Sequence, residues 1–301
     1  MPEPILFSIV IPTFNREKLI QRTIQSVLNQ SYENFELIIV DDGGTDNTSN
    51  VVASFKDSRI KYLHKKNEER GVARNAGMEM STGQYLTFVD SDDTFYEYHL
   101  QHAFDKIQKL NFPDFYRQGY EVRDINGKLF FANNSLEGDA NEFILKGNYF
   151  SCIGVFLKKE VTDVVRFSTE RMLCPSEDWD YWLRLSVRYK FYYDNRITAC
   201  MLQHNERSLN NFQENRSRLT IALLIKSLRN DYEFMAKRGH YLDQIRAQMY
   251  SLLCLNKVIH GSNKGLRRDL QKTLKLSKNE LFRRRGLAIL KYYILNLIKV
   301  K

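Results

Sequence analysis

The sequence predicts an α/β fold, a doubly wound and mostly parallel sheet with a helical extension at its C-terminal end. Three observations carry that prediction. Apolar, β-branched runs at 7–13, 35–40 and 85–89 have the length and composition of buried strands. Helical segments of the length found in β-α-β units lie between them, the first placing Leu19, Ile20, Ile24, Val27 and Leu28 on one helical stripe. Beyond about Gln213 the chain is leucine-rich, basic and helical in period to its last residue.

Taken in order, Phe7–Thr13 is a strand that closes on a Pro12-Thr13 turn, and a helix runs from about Arg16 to Asn29. The second strand ends in Asp41-Asp42-Gly43-Gly44, after which Thr45 or Asp46 offers an N-cap for a helix through Val51 and Phe55. A short strand at Ile60–His64 and a helix near Gly71–Met80 lead into the strand Tyr85–Val89, which runs straight into Asp90-Ser91-Asp92-Asp93. Repeats of this length imply a parallel sheet, whose ligands bind beyond the carboxyl ends of the strands where the strand order reverses. Thr13, Asp42 and Asp90 all fall at such ends. Asp124–Lys128 reads as a hairpin turn, the stretch to about 170 has no helical period, and Pro175-Ser176-Glu177-Asp178 starts a helix containing Trp182, Leu183 and Leu185. The division this suggests is a sheet domain over 1–212, with halves of about 1–110 and 111–212, and a basic helical region over 213–301.

The 301 residues are 43% hydrophobic and 13% aromatic, which fits a folded chain and excludes a disordered one. The net charge of +9 is uneven: residues 216–301 hold 20 Lys and Arg against 5 Asp and Glu, and the rest hold 25 against 31. No nucleic-acid motif accompanies the basic tail, so nucleic acid is not an expected partner. The four cysteines form no CxxC pair and no signal peptide is evident, so reduced thiols and a cytoplasmic setting are expected.

Three carboxylates within four residues repel one another unless a cation sits among them, and hard oxygen ligands at a strand end suit Mg²⁺ or Mn²⁺. A solvated acidic turn is the plain alternative. The pieces around this cluster decide the matter: Val10–Asn15, Val40–Asp46, Ala73-Arg74-Asn75-Ala76-Gly77, Asp90–Asp93, Ser176–Trp179, and His204 followed by Ser208. In this order and spacing they resemble the family 2 glycosyltransferases, over roughly residues 7–210. The resemblance implies the GT-A fold, an inverting transfer from a nucleotide-sugar donor, and a divalent metal. One departure is Gly44, where the family more often has serine, a change that would loosen the loop.

On this resemblance Asp92 is the direct metal ligand and His204 lies near the metal or the diphosphate. Asp90 reaches the ribose hydroxyls, or the metal through water, and Asp93 either joins them or caps the next helix. Pro12, Thr13, Asn15 and Asp42 match the nucleotide-binding segments; a carboxylate at 42 can accept the imide N–H of uracil, which makes a UDP-sugar the expected donor. Asp46 reads as a helix cap. Arg74, with Arg70 as the alternative, is placed to oppose diphosphate charge. Asp178 is the expected general base, because an acceptor hydroxyl must lose its proton as the new bond forms. Glu177 and Trp179 are candidates for acceptor contact, and Trp182 for the core.

The tail segment 283–298 sets Arg283-Arg284-Arg285 before a Leu/Ile/Tyr-rich run too short to span a bilayer. It suits an interfacial helix on anionic lipid, which a lipid-linked saccharide acceptor would give a purpose, or a helix packing on the catalytic domain or on a second copy. Surface-polysaccharide or lipid-linked oligosaccharide assembly at the cytoplasmic membrane face is the setting the resemblance implies. Two other functions compete: a sugar-phosphate nucleotidyltransferase, which would show a Gly-rich basic loop after the first strand, and a non-catalytic saccharide-binding module.

Overall fold

The computed structural model describes residues 4–204 and 212–299; Ser208 lies outside the described residues. The first half alternates β1 (Phe7–Thr13), α1 (Ile20–Leu28), β2 (Phe35–Asp41), α2 (Thr48–Ser54), β3 (Ile60–His64), α3 (Arg70–Met80) and β4 (Tyr85–Phe88). The second half holds β5 (Thr94–Phe95), α4 (His99–Lys109), β6 (Phe115–Asp124), β7 (Leu129–Asn133), α5 (Ala140–Phe143), β8 (Val155–Lys158), α6 (Lys159–Val164), α7 (Glu177–Ser186) and β9 (Phe191–Gln203). Five helices follow: α8 (Glu214–Asn230), α9 (Tyr232–Arg238), α10 (Leu242–Ile259), α11 (Leu266–Leu276) and α12 (Arg284–Lys299).

The strands form a nine-stranded sheet in the order β3-β2-β1-β4-β8-β6-β9-β5, with β7 paired to β6. The first four are parallel; β8 then runs antiparallel to β4 and to β6, and β9 returns parallel to β6. Because β1 sends one crossover to β2 and lies beside β4 on its other edge, the strand order reverses there and opens a crevice above the tips of β1, β2 and β4. β1 and β2 are buried along all seven residues, as strands covered on both faces must be. Alternation along β1 assigns Ile9 and Ile11 to the core under α1 and α4, and Val10 to the core under α3 and α7.

The core on the α3 side does not stop at residue 212. Trp179 and Trp182 of α7 belong to one apolar cluster with Leu224 of α8 and Ile245 and Leu253 of α10. The helical region therefore packs directly on the sheet domain. Its helices are tied by Lys257, fully buried, which meets Asp269 at 3.0 Å and Glu214 at 3.1 Å, while Arg218 reaches the same Asp269 at 2.6 Å. α12 docks on α10 through Ile289 and through Asn296, which donates to the Val258 carbonyl. Leu287, Leu290 and Ile294 remain exposed on it. No described helix is long and apolar enough to cross a membrane. All four cysteines are free, and three of them are buried.

Candidate active site

The strand tips meet in a cavity of about 860 Å³. β1 and the loop after it deliver Pro12, Thr13 and Asn15 to its wall. Asn15 adopts a left-handed backbone, φ 51°, which asparagine tolerates better than most residues. Its Oδ1 accepts the Thr45 N–H at 2.7 Å, stapling the β1 loop to the β2 loop. The Thr13 hydroxyl is buried at this wall with no hydrogen-bond partner among the described residues, a group that a ligand would satisfy.

The β2 loop is held, not loose. The Gly44 N–H donates to Asp41 Oδ1 at 2.8 Å, and a Cβ at residue 44 would lie 2.8 Å from that same oxygen. Glycine at this position thus permits close approach, contrary to the expected loosening. Asp42 is 3% exposed; its Oδ1 accepts from Lys65 Nζ at 2.8 Å and from the Glu68 N–H at 3.0 Å, and its Oδ2 carries no hydrogen bond among the described residues. Asp46 is not the N-cap of α2, a position held by Asn47; from one residue earlier it accepts from the Thr48 N–H at 3.0 Å.

Asp90, Asp92 and Asp93 follow β4, with carboxylate oxygens within 4.8 Å of one another. Asp90 and Asp92 line the cavity. Asp93 is 1% exposed and accepts the Leu202 N–H at 2.9 Å, so it anchors β9 beside the loop. That anchor brings His204, just past β9, to the cluster, where its Nε2 lies 2.9 Å from Asp92 Oδ2. Three carboxylates this close fit a divalent cation, as hard oxygen donors, and the His204 imidazole beside Asp92 stands at the edge of the cluster as a nitrogen donor.

Beneath the cavity lies an ion network. Arg74 is 2% exposed and donates to Asp90 Oδ1 at 2.8 Å and to Glu177 Oε1 at 3.0 Å, its guanidinium 5.4 Å from the Phe167 ring centroid. Arg70 Nε lies 2.5 Å from the same Glu177 oxygen and lines the wall above. α3 can sit low enough for this because Gly77 faces β1; a Cβ there would lie 2.3 Å from Val10 Cγ1. Burial would raise the Glu177 pKa, but the two guanidinium charges outweigh it and hold the carboxyl below its ordinary value. Its neighbour Asp178 goes the other way: burial and the Glu177 charge push it up to about 7. Asp178 Oδ1 accepts from Asn148 Nδ2 at 3.0 Å and from the Trp179 N–H at 2.7 Å. The cavity wall at this point is Cys174, Pro175 and Ser176; Asp178, half-buried, is not among the described residues that line the cavity with Asp42, Asp90 and Asp92.

Several sequence expectations shift. Trp179 is 3% exposed and donates its indole N–H to the Ile144 carbonyl, so it is a core side chain and not an acceptor platform. Trp182 is core, as expected, donating to the Phe150 carbonyl. Glu177, likewise 3% exposed, is consumed by two arginines and does not reach out to an acceptor. Arg74 lies under the cavity, and the cations on its wall are Arg16, Arg70, Arg171 and Arg216. The Ser176 side chain makes no cap bond to α7, whose start is carried by backbone and by Asp178. Sequence reasoning missed the whole far wall, supplied by α8 and α10.

The Glycosyl transferase family 2 profile matches residues 8–159, half of the chain. The chain belongs to that family. It is 31% identical over 197 residues to the UDP-Glc:alpha-D-GlcNAc-diphosphoundecaprenol beta-1,3-glucosyltransferase WfgD of Escherichia coli, covering 64% of this chain and 72% of WfgD. It is 40% identical over 137 residues to an uncharacterised glycosyltransferase of Rickettsia bellii, a match of 45% of this chain that spans only 20% of that relative. In fold it is similar to Staphylococcus aureus TarS 1–349 in complex with UDP-GlcNAc, with a TM-score of 0.64 at 16% identity, covering 91% of this chain and 90% of the other. The α/β sheet with its helical C-terminal region is thus of the GT-A type.

Proposed function

We propose that this family 2 protein is an inverting glycosyltransferase that moves a sugar from UDP to a saccharide carried on a lipid diphosphate. The observation that carries the reading is the convergence of Asp42, Asp90 and Asp92 on one cavity, with Asp178 joined to them through Glu177 and the shared Arg74. In this reading Asp42 and Thr13 bind the uracil end, Asp90 the ribose, and Arg70 faces the diphosphate from the wall.

Asp92, Asp90 and His204 would hold the divalent cation, Mn²⁺ or Mg²⁺, which when bound supplies Lewis-acid stabilisation of charge on the leaving diphosphate. Asp178 takes the proton of the acceptor hydroxyl. That oxygen forms a bond to the anomeric carbon as the bond from carbon to the β-phosphate oxygen breaks, and UDP leaves with the electron pair. One displacement from the face opposite the leaving group inverts the anomeric centre. A base poised near pH 7 suits the task, being about half deprotonated at neutral pH yet more basic than an ordinary carboxylate.

The acceptor class is supported by the likeness to WfgD, and work at the cytoplasmic membrane face by the exposed Leu287, Leu290 and Ile294 beside Arg283, Arg284 and Lys291. The test is incubation of the full chain with a panel of UDP-sugars, Mn²⁺ and a monosaccharide lipid diphosphate, reading UDP release and the anomeric coupling of the product. Release of UDP with an inverted linkage is expected; UDP bound but never released, with any sugar, would point to a binding module.

A further inference from the structure

The cavity extends beyond the strand tips, and its far wall has a different chemistry. That wall is built by α8, with Arg216 and Ile221, and by α10, with Met249, Leu252, Leu253 and Asn256. On α10 these positions fall on one helical stripe, spaced by three or four residues. The opposite stripe is occupied: Gln248, Ser251 and Val258 take hydrogen bonds from Arg285 and Asn296 of α12. α10 therefore presents one face to its own helical neighbours and a second, mostly apolar face to the cavity, where Leu252 is 39% exposed and Met249 and Leu253 lie buried beneath it. A diphosphate and a ribose have no use for such a face. Arg216 stands beside it, half-buried and without a salt bridge among the described residues, whereas Arg70 and Arg171 on the same cavity are paired to Glu177 and Glu69.

We infer that α8 and α10 form the acceptor subsite, and that it is built for an acceptor in which an anionic phosphate joins the sugar to an apolar chain. Arg216 takes the phosphate charge and the stripe of Ile221, Met249, Leu252 and Leu253 covers the first carbons of the chain. This assignment rests on the transferase reading given above, and it places specificity for the acceptor in the helical region, outside the segment matched by the family profile.

The experiment compares three acceptors bearing one sugar: a long-chain lipid diphosphate, the same diphosphate on a short alkyl group, and a methyl glycoside. The wild-type chain is expected to prefer them in that order. Arg216→Gln raises KM for both diphosphates about tenfold, the loss expected for one charge-assisted contact, and leaves the methyl glycoside unmoved. Leu252→Lys, at an exposed position, raises KM for the long-chain acceptor alone. UDP affinity by calorimetry stays within about twofold in both variants. Equal use of the three acceptors, or unchanged KM values in both variants, overturns the subsite. Loss of UDP affinity in Arg216→Gln overturns it too, by moving that arginine to the donor. If the wild type binds UDP and transfers to none of the three, the subsite fails while the donor site stands; if it does not bind UDP at all, the transferase reading fails with it.

Discussion

Asp90 and Glu177 grip the same guanidinium. Arg74 spans them at 2.8 and 3.0 Å, fully enclosed between α3, the end of β4 and the start of α7. The side of the cavity assigned to donor and metal is thereby fixed, through one rigid planar group, to the helix that carries Asp178. Removing Arg74 leaves two carboxylates in a low-dielectric setting with one fewer counter-charge. Arg74→Met should lower stability by about 3 kcal/mol, the range seen when one partner of a buried ion pair is deleted, read as a lower urea midpoint with unchanged slope.

Asp92 and His204 provide the next expectation. If both ligate the cation that carries the diphosphate, Asp92→Ala should abolish the Mn²⁺ dependence of UDP binding, and removal of metal by chelation should do the same to the wild type. Titration calorimetry of UDP with and without Mn²⁺ checks this. A wild-type protein whose UDP affinity ignores both treatments would remove these residues from the metal site.

Gly77→Ala isolates the packing that sets α3 against β1. Alanine is the better helix former by about 1 kcal/mol, but its Cβ would lie 2.3 Å from Val10 Cγ1. Overpacking wins, and a net loss of about 1–2 kcal/mol is expected in thermal or urea unfolding, with reduced activity because Arg74 rides on the same helix.

Glu36 supplies the pH dependence of stability. Burial works against its charge, but hydrogen bonds from Lys61, Ser8 and Thr82 prevail and lower its pKa to about 2. A carboxyl lowered in the folded state stabilises above its unfolded value, near 4.5, and that contribution fades as pH falls toward 2. It is on the order of 2 kcal/mol, so the wild type should lose that much more than Glu36→Gln between pH 6 and about pH 2.5.

Much of this site was legible because its chemistry sits where strands end. Asp42, Asp90 and Asp92 could be placed from an apolar run followed by carboxylates, and the parallel sheet from the βαβ spacing. Arg74 was not placed so well: within a helix, an arginine on an otherwise mixed face looks exposed, and only the close approach allowed by Gly77 buries it. Trp179 and Trp182 share a helical face, but nothing local distinguishes a stacking platform from a core side chain. The apolar stripe of α10 announces that it faces something, and periodicity cannot say that the something is a cavity formed by strands more than half a chain away. Gly44 shows the converse case, where a residue known for freedom is required by a contact, the Asp41 carboxylate.

Asp178 carries the central claim, and its titration tests it most directly. With the carboxyl at about pH 7, kcat/KM of the wild type should fall about tenfold per pH unit below 7 and level off above it. Asp178→Asn should lose that limb and about two to four powers of ten in kcat while binding UDP as before. Near-normal turnover in Asp178→Asn, with the same pH profile as the wild type, would contradict the account.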